Sequence, residues 1–123
     1  PLLTVGFIGF VFSSGISISA ANFPEPAAAA SAAFLTAAGI NAISGIFFSL
    51  GFVAIFFAMA TRDEYNRNLA NIAGLLALVS TVAGVVGLVA SDSNELMTLI
   101  TGITYIVHTI YAIYIGSGLL KRA

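Results

Sequence analysis

Apolar residues in this chain come in four long runs, and charge appears only at the breaks between them. Leu2–Asn22, Ala27–Thr61, Asn68–Ser91 and Leu96–Leu120 contain no Asp, Glu, Lys or Arg. The breaks hold Glu25, the group Arg62, Asp63, Glu64 and Arg67, the pair Asp92 and Glu95, and Lys121 with Arg122. No run shows the strict two-residue alternation of a half-buried strand. A helix needs roughly 20 apolar residues to cross a hydrocarbon core about 30 Å thick, and each run is long enough. Within lipid a chain must satisfy its own backbone hydrogen bonds, which favours helices. The pattern predicts an all-α chain of four strongly hydrophobic helices over about 2–21, 27–60, 68–90 and 95–120. These form a single hydrophobic helical domain across residues 1–123, either a membrane-type bundle or the subunit of a helical filament.

The breaks and the runs differ in character. Asn22-Phe23-Pro24-Glu25-Pro26 ends the first helix, and Pro26 suits the first position of the second. The second helix, Ala27–Ala60, is unusually long, about 51 Å at 1.5 Å per residue. Its first third, Ala27–Ala38, is mostly Ala and Ser, whereas its remainder carries Phe47, Phe48, Phe52, Phe56 and Phe57. The Ala-rich part is suited to projecting from a bilayer or packing against another subunit. Ser91-Asp92-Ser93-Asn94 reads as a turn, with Ser93 or Asn94 placed to cap the last helix. Lys121 and Arg122 close that helix, where cations complement the helix dipole.

Composition sharpens the class. Charged residues are 7% of the chain and hydrophobic residues 59%, against about 25% charged in soluble domains. A net charge of −1 gives no electrostatic basis for reading nucleic acid in a groove. Cysteine is absent, which excludes disulfides and thiolate metal sites. Neither cysteine nor glutamine is used, a thermophile tendency. The opening Pro1 reads as a processed N-terminus. Positive charge marks cytoplasmic loops, so Arg62, Arg67, Lys121 and Arg122 on one side give four spans with both termini inside. Removal of a signal peptide would instead put Pro1 outside, unless the first helix is a surface or re-entrant one.

Candidate packing positions follow from small residues four apart: Gly9, Ser13 and Ser17; Gly45 and Ser49; Ala73 and Ala77; Ser80 and Gly84; Ala83 and Gly87. Such spacing lets helix backbones approach closely in lipid. Asn41 and Asn71 lie within helices and are suited to interhelical hydrogen bonds. His108 is the only histidine. An ionisable group within a span is a functional candidate, but metal or haem ligation needs more donors than one histidine offers. It reads as a neutral, hydrogen-bonded packing residue beside Thr104 or Tyr111. No metal, catalytic cofactor or hydrolase triad is expected. The segment Thr61–Arg67 is the chemically rich one. It is either a solvated turn or a polar surface lining a bore, with Arg62 and Arg67 touching lipid phosphate beside Asp63 and Glu64.

Two apolar helices rich in small residues and joined by a short charged turn, here Gly39–Ala60, Thr61–Arg67 and Asn68–Ala90, resemble the mating pilins of bacterial conjugation systems. They also resemble the archaeal Ced and Ted DNA-import pilins. The resemblance covers about half the chain and is one of pattern, with no specific motif. It implies subunits that wait in the membrane and then stack into an extracellular tube on the cell surface. A bound phospholipid would accompany each subunit, Arg62, Asp63, Glu64 and Arg67 would face the lumen, and DNA would be cargo only. The chain exceeds the minimal pilin by about two helices. The expectation is a structural, non-enzymatic, self-assembling subunit with bound lipid. The alternative is a small four-span accessory subunit of a respiratory or transport membrane complex.

Overall fold

The structure, a computed structural model, describes residues 1–121; Arg122 and Ala123 lie outside it, so the basic end of the last helix is seen only at Lys121. Helices α1 (Leu2–Asn22), α2 (Ala27–Ala60), α3 (Arg67–Val89) and α4 (Asn94–Leu120) follow in order, with a short 3₁₀ turn at Ser91–Ser93 before α4. All four are long and apolar enough to cross a membrane. No strand occurs among the described residues.

Helix ends differ from the sequence expectation where local chemistry decides them. Pro26 stands just before α2 rather than inside it, and its carbonyl accepts from the Ala29 and Ala30 amides at 2.9 and 3.2 Å. Asn66 caps α3: its side-chain oxygen accepts from the Asn68 and Leu69 amides at 3.1 and 3.2 Å. This moves Arg67 from the loop to the first helical residue. Ala90 leaves helical geometry with φ −123°, which ends α3 one residue early. Ser93 occupies the cap position of α4 but makes no side-chain capping bond.

The chain divides into two compact units, Pro1–Gly51 and Phe52–Ala123, with the division falling inside α2. In the first unit, α1 packs antiparallel on the Ala27–Gly51 part of α2. Covered positions of α1 include Leu3, Gly6, Gly9, Phe10, Ser13, Ser17 and Ala20; those of α2 include Ala30, Ala33, Ala37, Ile40, Ser44, Phe48, Ser49 and Gly51. Steps of three and four residues recur along both seams, the spacing that keeps two helices in lateral contact. Phe10 meets Phe48 edge-on with centroids 5.5 Å apart. Ser13 Oγ lies 3.0 Å from the Phe10 carbonyl and 3.3 Å from Asn41 Oδ1, a link between the two helices.

In the second unit α3 and α4 pack together, with the Phe52–Ala60 part of α2. Buried α3 positions are Ala70, Ala73, Gly74, Ala77, Ser80, Thr81 and Ala83. Those of α4 are Thr104, His108 and Tyr111. Phe56, Ala73, Ala77 and Tyr111 form the core, flanked by Phe52, Val53, Met59 and Ile115.

Side-chain size is distributed in the reverse of a soluble domain. Ala70 and Ala77 are fully buried and Ser49 and Ser80 are 1% exposed, whereas Leu35 is 75% and Val89 80% exposed. Large aliphatic side chains point outward on every helix. In water that surface would drive association. In lipid it is matched to its surroundings, and helix contact must come from close packing and hydrogen bonds instead.

Candidate membrane-interface site

Polar chemistry in the second unit gathers at one end, where α2 finishes, α3 begins and α4 finishes. Thr61 Oγ1 donates to the Ala58 carbonyl at 2.7 Å, and the Arg62 amide donates to the Met59 carbonyl at 3.0 Å. These bonds close α2. The Tyr65 amide then donates to the Arg62 carbonyl at 3.3 Å, and Asn66 opens α3. This short turn holds Arg62, Asp63 and Glu64 exposed, with Arg67 exposed at the start of α3. The four charged groups form no ion pair among the described residues.

Because α3 and α4 are antiparallel, the end of α4 returns to this turn. A cleft of about 260 Å³ opens there, bounded by Glu64, Tyr65 and Asn66 from the turn, by Tyr111, Tyr114 and Ser117 from α4, and by Lys121 just after it. The rings of Tyr111 and Tyr114 are nearly parallel, at 15°, with centroids 6.3 Å apart. Of the four charged residues expected at this end, Glu64 lines the cleft; Arg62, Asp63 and Arg67 do not. The tyrosines were not expected here. A spacing of three between Tyr111 and Tyr114 puts them on one face, and an antiparallel hairpin brings Lys121 to the turn, so part of the signal was present.

His108 sits deeper, 4% exposed. Its Nε2 lies 3.1 Å from the Ala73 carbonyl. A carbonyl only accepts, so Nε2–H donates and ties α4 to α3. The ring lies tilted against those of Phe52 and Phe56, with centroids 5.2 and 5.1 Å away. The hydrogen bond expected for His108 thus goes to a backbone carbonyl of α3, and Thr104 and Tyr111 are buried with it on α4. Nδ1 meets no hydrogen-bond partner among the described residues. Among them no three metal-ligating side chains converge.

The small-residue positions divide. Ser13, Ser49 and Ser80 are buried, and Gly9, Gly45, Gly84 and Gly87 are half-buried. A methyl group at Gly9 would overlap the Ser44 side chain, and one at Gly87 would lie 3.3 Å from Asn94 Oδ1 and Met97 Cβ. Close approaches also occur at glycines that the four-residue spacing passes over. At Gly6 a methyl would lie 2.8 Å from the Phe48 amide nitrogen and the Ser44 carbonyl, at Gly51 2.7 Å from Leu3, and at Gly74 3.1 Å from the Phe57 ring. Ser13, Ser14, Ser17 and Asn41 also line an open groove of about 600 Å³ in the first unit.

Comparison with protein-family models, with characterised proteins and with solved structures finds no match to this chain.

Proposed function

We propose that the chain is a structural subunit that resides in a membrane and self-assembles with phospholipid into a conjugation-type filament. The observation that supports this reading is the reversed packing: small residues at the seams and large apolar side chains over the outside of every helix. A surface of that kind is satisfied equally by acyl chains and by the apolar flanks of neighbouring copies. The exposed turn at Arg62, Asp63, Glu64 and Arg67 then supplies the polar strip that a lumen and its lipid headgroups would require. DNA enters only as cargo, since the net charge of −1 offers no groove-reading surface.

Negative-stain microscopy of material sheared from cells tests the proposal. The expected result is thin filaments containing this chain and stoichiometric phospholipid. Retention of the chain in detergent-extracted membranes, co-purifying with larger subunits and absent from the sheared fraction, would replace the filament reading with that of an accessory subunit of a membrane complex.

A further inference from the structure

We propose that the tyrosine-lined cleft at the charged end of the second unit binds the headgroup of a zwitterionic phospholipid. The ammonium group lies among Tyr65, Tyr111, Tyr114 and Glu64, and the phosphate lies at Lys121. The inference rests on the membrane placement of the helices and not on the filament.

The cleft holds one anion and one cation, and neither Glu64 nor Lys121 is ion-paired with a described residue. A purely anionic headgroup would meet the Glu64 carboxylate, and a bare cation would meet the Lys121 ammonium. A group carrying both charges satisfies both walls. The tyrosine faces add the element that selects the cation. A quaternary or primary ammonium over an aromatic face gains about 0.5–1 kcal/mol at an exposed site, and more when desolvated. Tyr114 is 56% exposed, so its face is open to a ligand. The Tyr hydroxyls can donate to phosphate oxygens, whereas the Ser117 hydroxyl donates to the Tyr114 carbonyl at 2.8 Å. At about 260 Å³ the cleft lies below the roughly 300–1,000 Å³ of pockets that enclose drug-sized molecules. It therefore suits a headgroup, while acyl chains would run along the exposed Ile110 and Ile113 of α4. Tyrosines and a lysine at a helix end also belong at the level of headgroups.

The experiment uses the full chain in maltoside micelles, with lipid retention read by native mass spectrometry for phosphatidylcholine and phosphatidylglycerol. The wild type should retain phosphatidylcholine over phosphatidylglycerol by roughly fivefold. Glu64→Gln combined with Tyr114→Leu should abolish that preference, with phosphatidylglycerol retention unchanged or raised because the repelling carboxylate is gone. Lys121→Gln should weaken phosphatidylcholine retention in the same direction. Arg62→Gln with Arg67→Gln, outside the cleft, should not diminish the preference. The source of the headgroup is read separately, since the chain has no tryptophan and three of its four tyrosines line the cleft. A change in tyrosine emission on adding soluble phosphocholine supports headgroup chemistry alone as sufficient. Retained phosphatidylcholine without that change supports the intact lipid as the ligand. Equal retention of the two lipids by the wild type, a preference surviving the double variant, or phosphatidylcholine retention unaffected by Lys121→Gln overturns the proposal. Filaments that form normally without the preference would remove this site and leave the filament reading standing; the preference without filaments would do the reverse.

Discussion

Gly6 and Gly15 lie on the same helix and would respond to an added methyl group in opposite ways. At Gly6 the new carbon would press at 2.8 Å on the Phe48 amide nitrogen and the Ser44 carbonyl, which are backbone and cannot rotate away. Gly6→Ala should therefore destabilise the α1–α2 hairpin by about 1–3 kcal/mol, the usual cost of overpacking. Nothing lies within 4 Å of the corresponding position at Gly15. Gly15→Ala should be neutral or stabilising by up to ~1 kcal/mol, since alanine is the better helix former. Reversible unfolding in mixed micelles separates the two, and equal effects would contradict the close approach. At His108 the bond to the Ala73 carbonyl is worth about 1 kcal/mol in an apolar setting. His108→Leu, similar in bulk, should lose about that amount in the same assay, and an unchanged midpoint would mean that the bond contributes nothing.

At the scale of the helix, Asn66 is the side chain whose removal isolates a capping effect. Asn66→Ala deletes the acceptor for two amides at the start of α3 and should cost about 0.5–2 kcal/mol, with circular dichroism of the folded state unchanged. A fall in helical signal beyond the first turn would show that α3 depends on its cap rather than on packing. The helices themselves were legible from the runs of uncharged residues, because a run that long and apolar has one way to satisfy its backbone in lipid. Their ends were less so. Asn66 lies inside a polar stretch where several residues could cap, and only the bonds to Asn68 and Leu69 distinguish it. The seams were half legible. Spacing of small residues found Ser13, Ser49 and Ser80, yet missed Gly6, Gly51 and Gly74, whose close neighbours lie on another helix or far along the chain. The cleft depends on the same long-range placement, joining residues 64–66 to 111–121. A one-dimensional pattern does not report such meetings.

For the molecule as a whole, the cations of the turn are the lever. Arg62 and Arg67 are half of the chain's four basic residues. If they contact lipid phosphate, Arg62→Gln with Arg67→Gln should leave the helices intact and reduce retained anionic lipid, because bidentate arginine–phosphate bonds are lost. If the turn is only a solvated loop, the same change should alter membrane orientation, since orientation follows basic residues near span ends. Lipid analysis of purified protein and a topology reporter at the C-terminus read the two outcomes. Unchanged lipid with inverted topology would leave the lumen role of the turn without support.

The reversed distribution of side-chain size also dictates which positions can drift over time. In a soluble domain the bulky apolar residues are the constrained ones and surface positions vary. Here exchanges among Ile, Leu and Val at Val82, Ile106 or Ile113 alter only what faces the surroundings, so such sites are free to wander. The sites that cannot are the smallest: at Ala70 and Ala77, both fully covered, even one extra methylene has nowhere to go. In relatives of this chain, divergence should concentrate in the large hydrophobic residues, and the alanines and glycines of the seams should be the last to change.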